Sequence, residues 1–92
     1  MIKSFKHNGL EDFFVGGTVK GIIPDHASKL ERILDRLDVS LSANDMNLPG
    51  FKLHKRSGKE KDIWSVGVSG NWRATFYFKK GDAYIVDYCD YH

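Results

Sequence analysis

The hydrophobic period of this chain changes once, near Gly50, and that change restricts the fold more than any other feature. Before it, Ala27, Leu30, Ile33, Leu34, Leu37 and Leu41 recur at helical spacing, with Lys29, Glu31, Arg32, Asp35 and Arg36 between them. Pro24-Asp25 supplies the helix start, and Asn44 to Gly50 reads as a loop closed by a Pro-Gly turn. After Gly50 the apolar residues alternate. Phe51 and Leu53 share one side of segment 51–55, Trp64, Val66 and Val68 one side of 63–68, and Trp72, Ala74, Phe76 and Phe78 one side of 72–79. Ser69-Gly70-Asn71 and Lys80-Gly81-Asp82 suit tight hairpin links, the second leading into a last strand over 83–89.

Upstream, residues 2–6 read as a short opening strand offering Ile2 and Phe5 to the core. Asn8, with Glu11 three residues later, predicts a capped short helix whose apolar side is Leu10, Phe13 and Phe14 and whose stop is Gly16-Gly17. The expected fold is therefore α+β: two N-terminal helices packed on a small, mainly antiparallel twisted sheet, the opposite sheet face left polar. With 92 residues, a single domain over 1–92 is expected, with no room for a dinucleotide-binding fold. One cysteine, Cys89, excludes an internal disulfide and a multi-cysteine zinc site. No stretch approaches the ~18 apolar residues of a membrane span, and the opening residues do not resemble a signal peptide, so a cytoplasmic location and no membrane partner are expected.

Net charge is only +2, but it is unevenly placed. Residues 51–82 hold eight basic side chains against three acidic ones, whereas residues 24–47 hold five acids and three bases. A polyanion is a plausible partner for the basic stretch, as is plain solvated surface. Strand parity puts His54 and Arg73 on the polar sheet face, with Lys52 beside them and Lys55 and Arg56 at the strand end. A guanidinium fork binds phosphate and an imidazole moves protons near neutral pH, which suits phosphodiester chemistry. From spacing alone, two solvated surface side chains are the more ordinary reading. The terminal Asp90-Tyr91-His92 poses a parity problem, since neighbours on a strand face opposite ways and Tyr91 and His92 reach one pocket only if the strand breaks. His7 and His26 show no metal-ligand spacing with the other histidines, so no metal or other cofactor is expected. Cys89 and the two tryptophans read as packing residues first.

The order of elements and several motifs resemble the HigB toxin family of the RelE/ParE superfamily. The resemblance spans the chain and rests on Met1-Ile2-Lys3-Ser4-Phe5, Lys52-Leu53-His54, Asn71-Trp72-Arg73-Ala74-Thr75-Phe76 and the stretch from Gly81 to His92. It implies a microbial ribonuclease-like fold and a toxin of a type II toxin–antitoxin system that cuts mRNA in the ribosomal A site. It also implies a HigA-like helix-turn-helix antitoxin as partner, with operator DNA contacted only through that complex. Carried over by position, the catalytic set is His54, Arg73, Asp90, Tyr91 and His92. The segment from Lys55 to Lys61 matches a variable loop and takes no role from the family; it is the basic charge of 51–82 that would bring Lys52, Lys55, Arg56, Lys59 and Lys61 to mRNA or ribosomal RNA phosphates. Two other readings stay open: a ParE-like gyrase inhibitor of the same fold, and a non-catalytic RNA-binding module.

Overall fold

The computed structural model describes residues 1–56 and 62–91. Helix α1 (Asn8–Gly16) is followed by a 3-10 turn (Pro24–His26) that runs directly into α2 (Ala27–Val39), and a second 3-10 turn (Ala43–Met46) leads to the sheet. Strands β1 (His54–Lys55), β2 (Ile63–Ser69), β3 (Trp72–Lys79) and β4 (Asp82–Asp90) form an antiparallel sheet in the order β1-β2-β3-β4. The expected α+β architecture is the one observed. No helix among the described residues is long and apolar enough to cross a membrane.

The opening segment lies parallel to the free side of β4. Ile2 bridges Ala83 and Phe5 bridges Val86, with Lys3 N–H donating to the Ala83 carbonyl at 2.7 Å and Lys6 N–H to that of Val86 at 2.9 Å. These bonds occupy backbone groups that an exposed edge strand would leave unpaired.

Helix α1 starts one residue earlier than its sequence suggests. His7, not Asn8, is the cap: its backbone is extended and its Nδ1 accepts from Leu10 N–H at 2.9 Å. The helix ends where expected, with Gly17 left-handed at φ 76° and its N–H returned to the Phe13 carbonyl. Gly9 and Gly21 let the following connection cross the helix backbone to backbone. A Cβ on Gly9 would stand 2.7 Å from the Cα of Gly21, and one on Gly21 would stand 2.5 Å from the Cα of Gly9.

Helix α2 buries Leu30, Ile33, Leu34 and Leu37, as its stripe predicts. Leu41 departs from the stripe and is 80% exposed. The helix stops at Val39, Ser40 turns extended at ψ 141°, and the Ser40 hydroxyl donates to the Arg36 carbonyl, so Leu41 is off the helical spiral. Val66, Phe76, Val86 and Tyr88 meet the helices from the inner face of the sheet. Each large apolar side chain so buried is worth about 1.5–3 kcal/mol in transfer free energy.

Segment 51–55 is regular strand only at His54–Lys55. Gly50 (φ 85°) and Lys52 (φ 52°) are both left-handed, which bends the chain before pairing begins. Phe51 is nonetheless buried, and its carbonyl accepts from Gly67 N–H at 2.7 Å. The hairpin after β3 turns through Lys80 and Gly81, both with positive φ as a type I′ turn requires.

The Asp45 carboxylate accepts from Leu41 N–H at 2.8 Å and Ser42 N–H at 3.2 Å. These two bonds hold its pKa below the ordinary carboxylate value. A depressed folded-state pKa contributes stability above the unfolded-state value of ~3.9, and that contribution disappears as pH falls through the folded-state value. Asp45→Ala is therefore expected to lower the urea midpoint at pH 7, with the gap from the parent closing as the titration moves below pH ~4. Coincident midpoints at neutral pH would show that this turn needs no carboxylate.

Candidate active site

The outer face of the sheet, away from the helices, carries the polar half of each alternating strand. Register pairs His54 with Ser65 across β1 and β2, and Arg73 with Gly67 and Cys89 on the two sides of β3. A cleft of about 590 Å³ opens there, lined by Lys52, Leu53, His54, Arg56, Ser65, Arg73 and Tyr91. Three of its walls are permanent cations and none of these lining residues is a carboxylate. Such a surface attracts an anion, and the low dielectric of the sheet beneath strengthens the effect.

Arg73 is held from two sides. Its Nε donates to Ser65 Oγ at 2.9 Å, and its Nη2 donates to the Lys52 carbonyl at 3.0 Å. Ser65 is itself buried, so the guanidinium stands on a fixed, water-poor support. The rest of the donor fork is left toward the cleft. The part played by Ser65 was not evident from sequence. Parity assigns it to the polar face, but only the β2–β3 register reveals that its hydroxyl reaches Arg73.

Tyr91 lies just beyond β4, where its N–H continues the ladder by donating to the Asn71 carbonyl at 2.8 Å. Two residues past Cys89, it keeps the outward parity without a break. Its ring lies 4.7 Å from the Arg56 guanidinium carbon, and Arg56 Nη1 donates to its hydroxyl. Arg56, expected only as an RNA-contacting cation at the strand end, is thus a wall of the cleft.

Two other expected residues stand elsewhere. Asp90 pairs with Trp72 in the ladder, has the opposite parity to Tyr91, and is exposed without lining the cleft. Lys55 sits opposite Trp64, with Nζ 5.5 Å from its ring centroid, so it leaves the outer face and covers the edge of the core. His92, Lys59 and Lys61 lie outside the described residues.

The remaining candidates serve structure. His26 is buried, with Nδ1 bonded to the Tyr88 hydroxyl and its ring edge-on to Trp72 at 5.5 Å. Burial raises the Tyr88 phenol pKa above its ordinary value. Trp64 and Trp72 pack against the core, as parity predicts. Burial, reinforced by the Asp87 charge, pushes the Cys89 thiol pKa up against the opposing pull of Arg56 and Lys6, which disfavours a thiolate.

The cationic cleft, with an imidazole on its wall, thus lies on the outer face of a helix-backed antiparallel sheet. Residues 3–92 match the family described as RelE-like toxin of type II toxin-antitoxin system HigB. The chain is also 40% identical over 92 residues, the full length of both proteins, to Endoribonuclease HigB of Proteus vulgaris. It belongs to the HigB-like family of type II toxins.

The two-point support of Arg73 is directly testable. In Ser65→Ala the Nε proton of Arg73 is expected to exchange with water at least about tenfold faster than in the parent, a hydrogen bond to a charged group being worth roughly 1.5–3 kcal/mol. Nitrogen-detected NMR of the arginine Nε–H resonances measures it, and equal exchange rates would mean that Ser65 does not hold the guanidinium.

Proposed function

We propose that this toxin is a ribosome-dependent endoribonuclease that cuts A-site mRNA without a metal ion, and that the cleft containing His54 and Arg73 carries the reaction. The observation supporting this most is the anchored Arg73 fork facing the same cleft as the His54 imidazole, with Lys52 and Arg56 on its rim. The endoribonuclease name of the Proteus vulgaris relative agrees with it. Membership in a type II family implies an antitoxin that neutralises the toxin, and the expected partner is a helix-turn-helix protein of the HigA kind.

RNA supplies its own nucleophile. A base takes the proton of the 2′-hydroxyl, that oxygen bonds to the adjacent phosphorus, and the bond from phosphorus to the 5′-oxygen breaks. The leaving oxygen takes a proton, giving a 2′,3′-cyclic phosphate and a 5′-hydroxyl end. The chemistry therefore needs proton transfer and stabilisation of the charge gathering on the non-bridging oxygens. His54 transfers one proton. Arg73 meets the developing charge through the N–H groups that Ser65 and Lys52 leave toward the cleft, and Lys52 adds a second cation. Tyr91 stacks on a base or donates to the phosphate, with Arg56 fixing its ring. His92 is proposed as the other proton carrier on the strength of the family resemblance, and Asp90, given its parity, as an orienter of the chain end rather than a cleft group.

The test is cleavage of mRNA on programmed ribosomes, with the ends of the products identified. Cuts with 2′,3′-cyclic phosphate ends are expected, abolished by a single 2′-deoxy substitution at the scissile nucleotide, while free mRNA is cut poorly. Arg73→Ala is expected to lose about 10²–10³ in rate and His54→Ala about 10²–10⁴, each with an unchanged fold. Products with 5′-phosphate ends would refute internal attack. Growth arrest with intact mRNA and trapped gyrase would instead support the gyrase reading.

A further inference from the structure

The Arg56–Tyr91 pair stands between two clefts, bordering both. The second, of about 310 Å³, lies on the same sheet face toward β4 and the opening segment, and its walls include Lys6, Ile63, Thr75, Ile85 and Asp87. None of these has a part in the chemistry above.

The local backbone sets this cleft apart. Ile85 is a β-branched residue in the left-handed region, at φ 47°, where such residues are rare. It sits at an irregularity in the β3–β4 register between Thr75 and Tyr77. Two successive residues, Tyr84 and Ile85, lie outside the core between the buried Ala83 and Val86. Ser4 holds the bulge in place, its hydroxyl accepting from Ile85 N–H at 2.8 Å and its carbonyl from Val86 N–H at 3.1 Å. The strained residue gains little burial in return, since Ile85 is 48% exposed. Bulges and strained residues of this kind concentrate beside functional sites, where they re-aim a side chain.

We propose that this second cleft is a base-binding subsite for a nucleotide next to the scissile phosphate, selecting bases that carry an exocyclic amino group and rejecting uracil. The proposal rests on the endoribonuclease reading and extends it to substrate choice. Ile63, Ile85 and the Tyr91 ring offer apolar and aromatic surface to the faces of a flat base. The Asp87 carboxylate only accepts hydrogen bonds when ionised, so it receives the amino protons of adenine, cytosine or guanine. Uracil presents carbonyl oxygens on either side of its single imino N–H, and these repel the carboxylate. Lys6 and Arg56 flank the cleft as cations for the connecting phosphates. The shared Arg56–Tyr91 wall places this base beside the His54–Arg73 cleft, as neighbouring positions of one RNA strand require.

Asp87→Asn tests this, because the amide keeps the shape and can both donate and accept. Ribosomes programmed with a randomised A-site codon are cleaved by parent and variant, and kcat/KM is compared for each base flanking the cut. The parent is expected to disfavour uridine at one flanking position by about tenfold or more, and the variant to narrow that ratio to about twofold. A second arm needs no cleavage: cytidine and uridine monophosphates are titrated into the protein and amide NMR shifts recorded. Cytidine monophosphate is expected to shift Thr75, Ile85 and Asp87, with uridine monophosphate much weaker, and Asp87→Asn should erase the difference. Equal uridine ratios in parent and variant, or nucleotide shifts confined to the His54–Arg73 cleft, would overturn the subsite. No cleavage by the parent protein, with the cytidine-specific shifts still seen, would count against the endoribonuclease reading and leave the cleft standing as a base-binding site.

Discussion

The outer face of this protein depends on one guanidinium. Arg73 projects from β3, bonds to Ser65 on β2, and reaches past it to the Lys52 carbonyl ahead of β1. Strand β1 has only two residues, and two ladder pairs give its lead-in little rigidity of their own. The bond from Arg73, with the one from Gly67 N–H to the Phe51 carbonyl, fixes the left-handed bend that carries Lys52 and His54. A charge used to build the cleft therefore also supplies the donors that the cleft presents. Lysine could not do both, since a point charge has no fork to divide between a support and a ligand.

Behind this face the sheet is anchored by aromatic packing. Trp72 and Tyr88 lie on neighbouring strands with ring centroids 4.7 Å apart, and His26 closes on both from the helical side. The residues on either side of Arg73's strand position are thus sorted by depth: Trp72 and Ala74 pack inward while Arg73 stays outward. Parity keeps the two functions independent, so the outer face can change its chemistry without opening the core.

What sequence revealed and what it concealed follows from the range of the forces involved. The helical stripe of α2, the alternation of β2 and β3 and both hairpin links were legible, because each is set by residues within one or two turns of each other. The shared face of His54 and Arg73 followed from that alternation. The misplacements have two origins. Leu41 leaves the core because Ser40 ends the helix through its hydroxyl bond to the Arg36 carbonyl, a local stop that an apolar stripe does not register, whereas the end of β4 is sorted by a nonlocal pairing. Asp90 and Tyr91 adjoin in sequence but part at the sheet, and only the ladder tells which one faces the cleft. The bulge at Ile85 had no signal at all, since a β-branched residue is among the last that composition would place at positive φ.

The size of the cleft bears on why a large partner belongs in the proposed reaction. Its walls offer three permanent cations, Lys52, Arg56 and Arg73. If each neutralises one phosphate of single-stranded RNA, the logarithm of affinity falls with that of salt with a slope of only about −2, so counterion release contributes little. Stacking on Tyr91 adds roughly 1–3 kcal/mol by comparison with other base–aromatic contacts. Together these hold free RNA weakly at physiological salt. The catalysis proposed for the same groups would be less limited, because charge stabilisation and proton transfer act on the reacting phosphate once it is in place. In the proposed reaction, a site with such chemistry and so weak a grip takes its substrate from the ribosome, where the effective concentration of a strand already held would supply what three cations cannot.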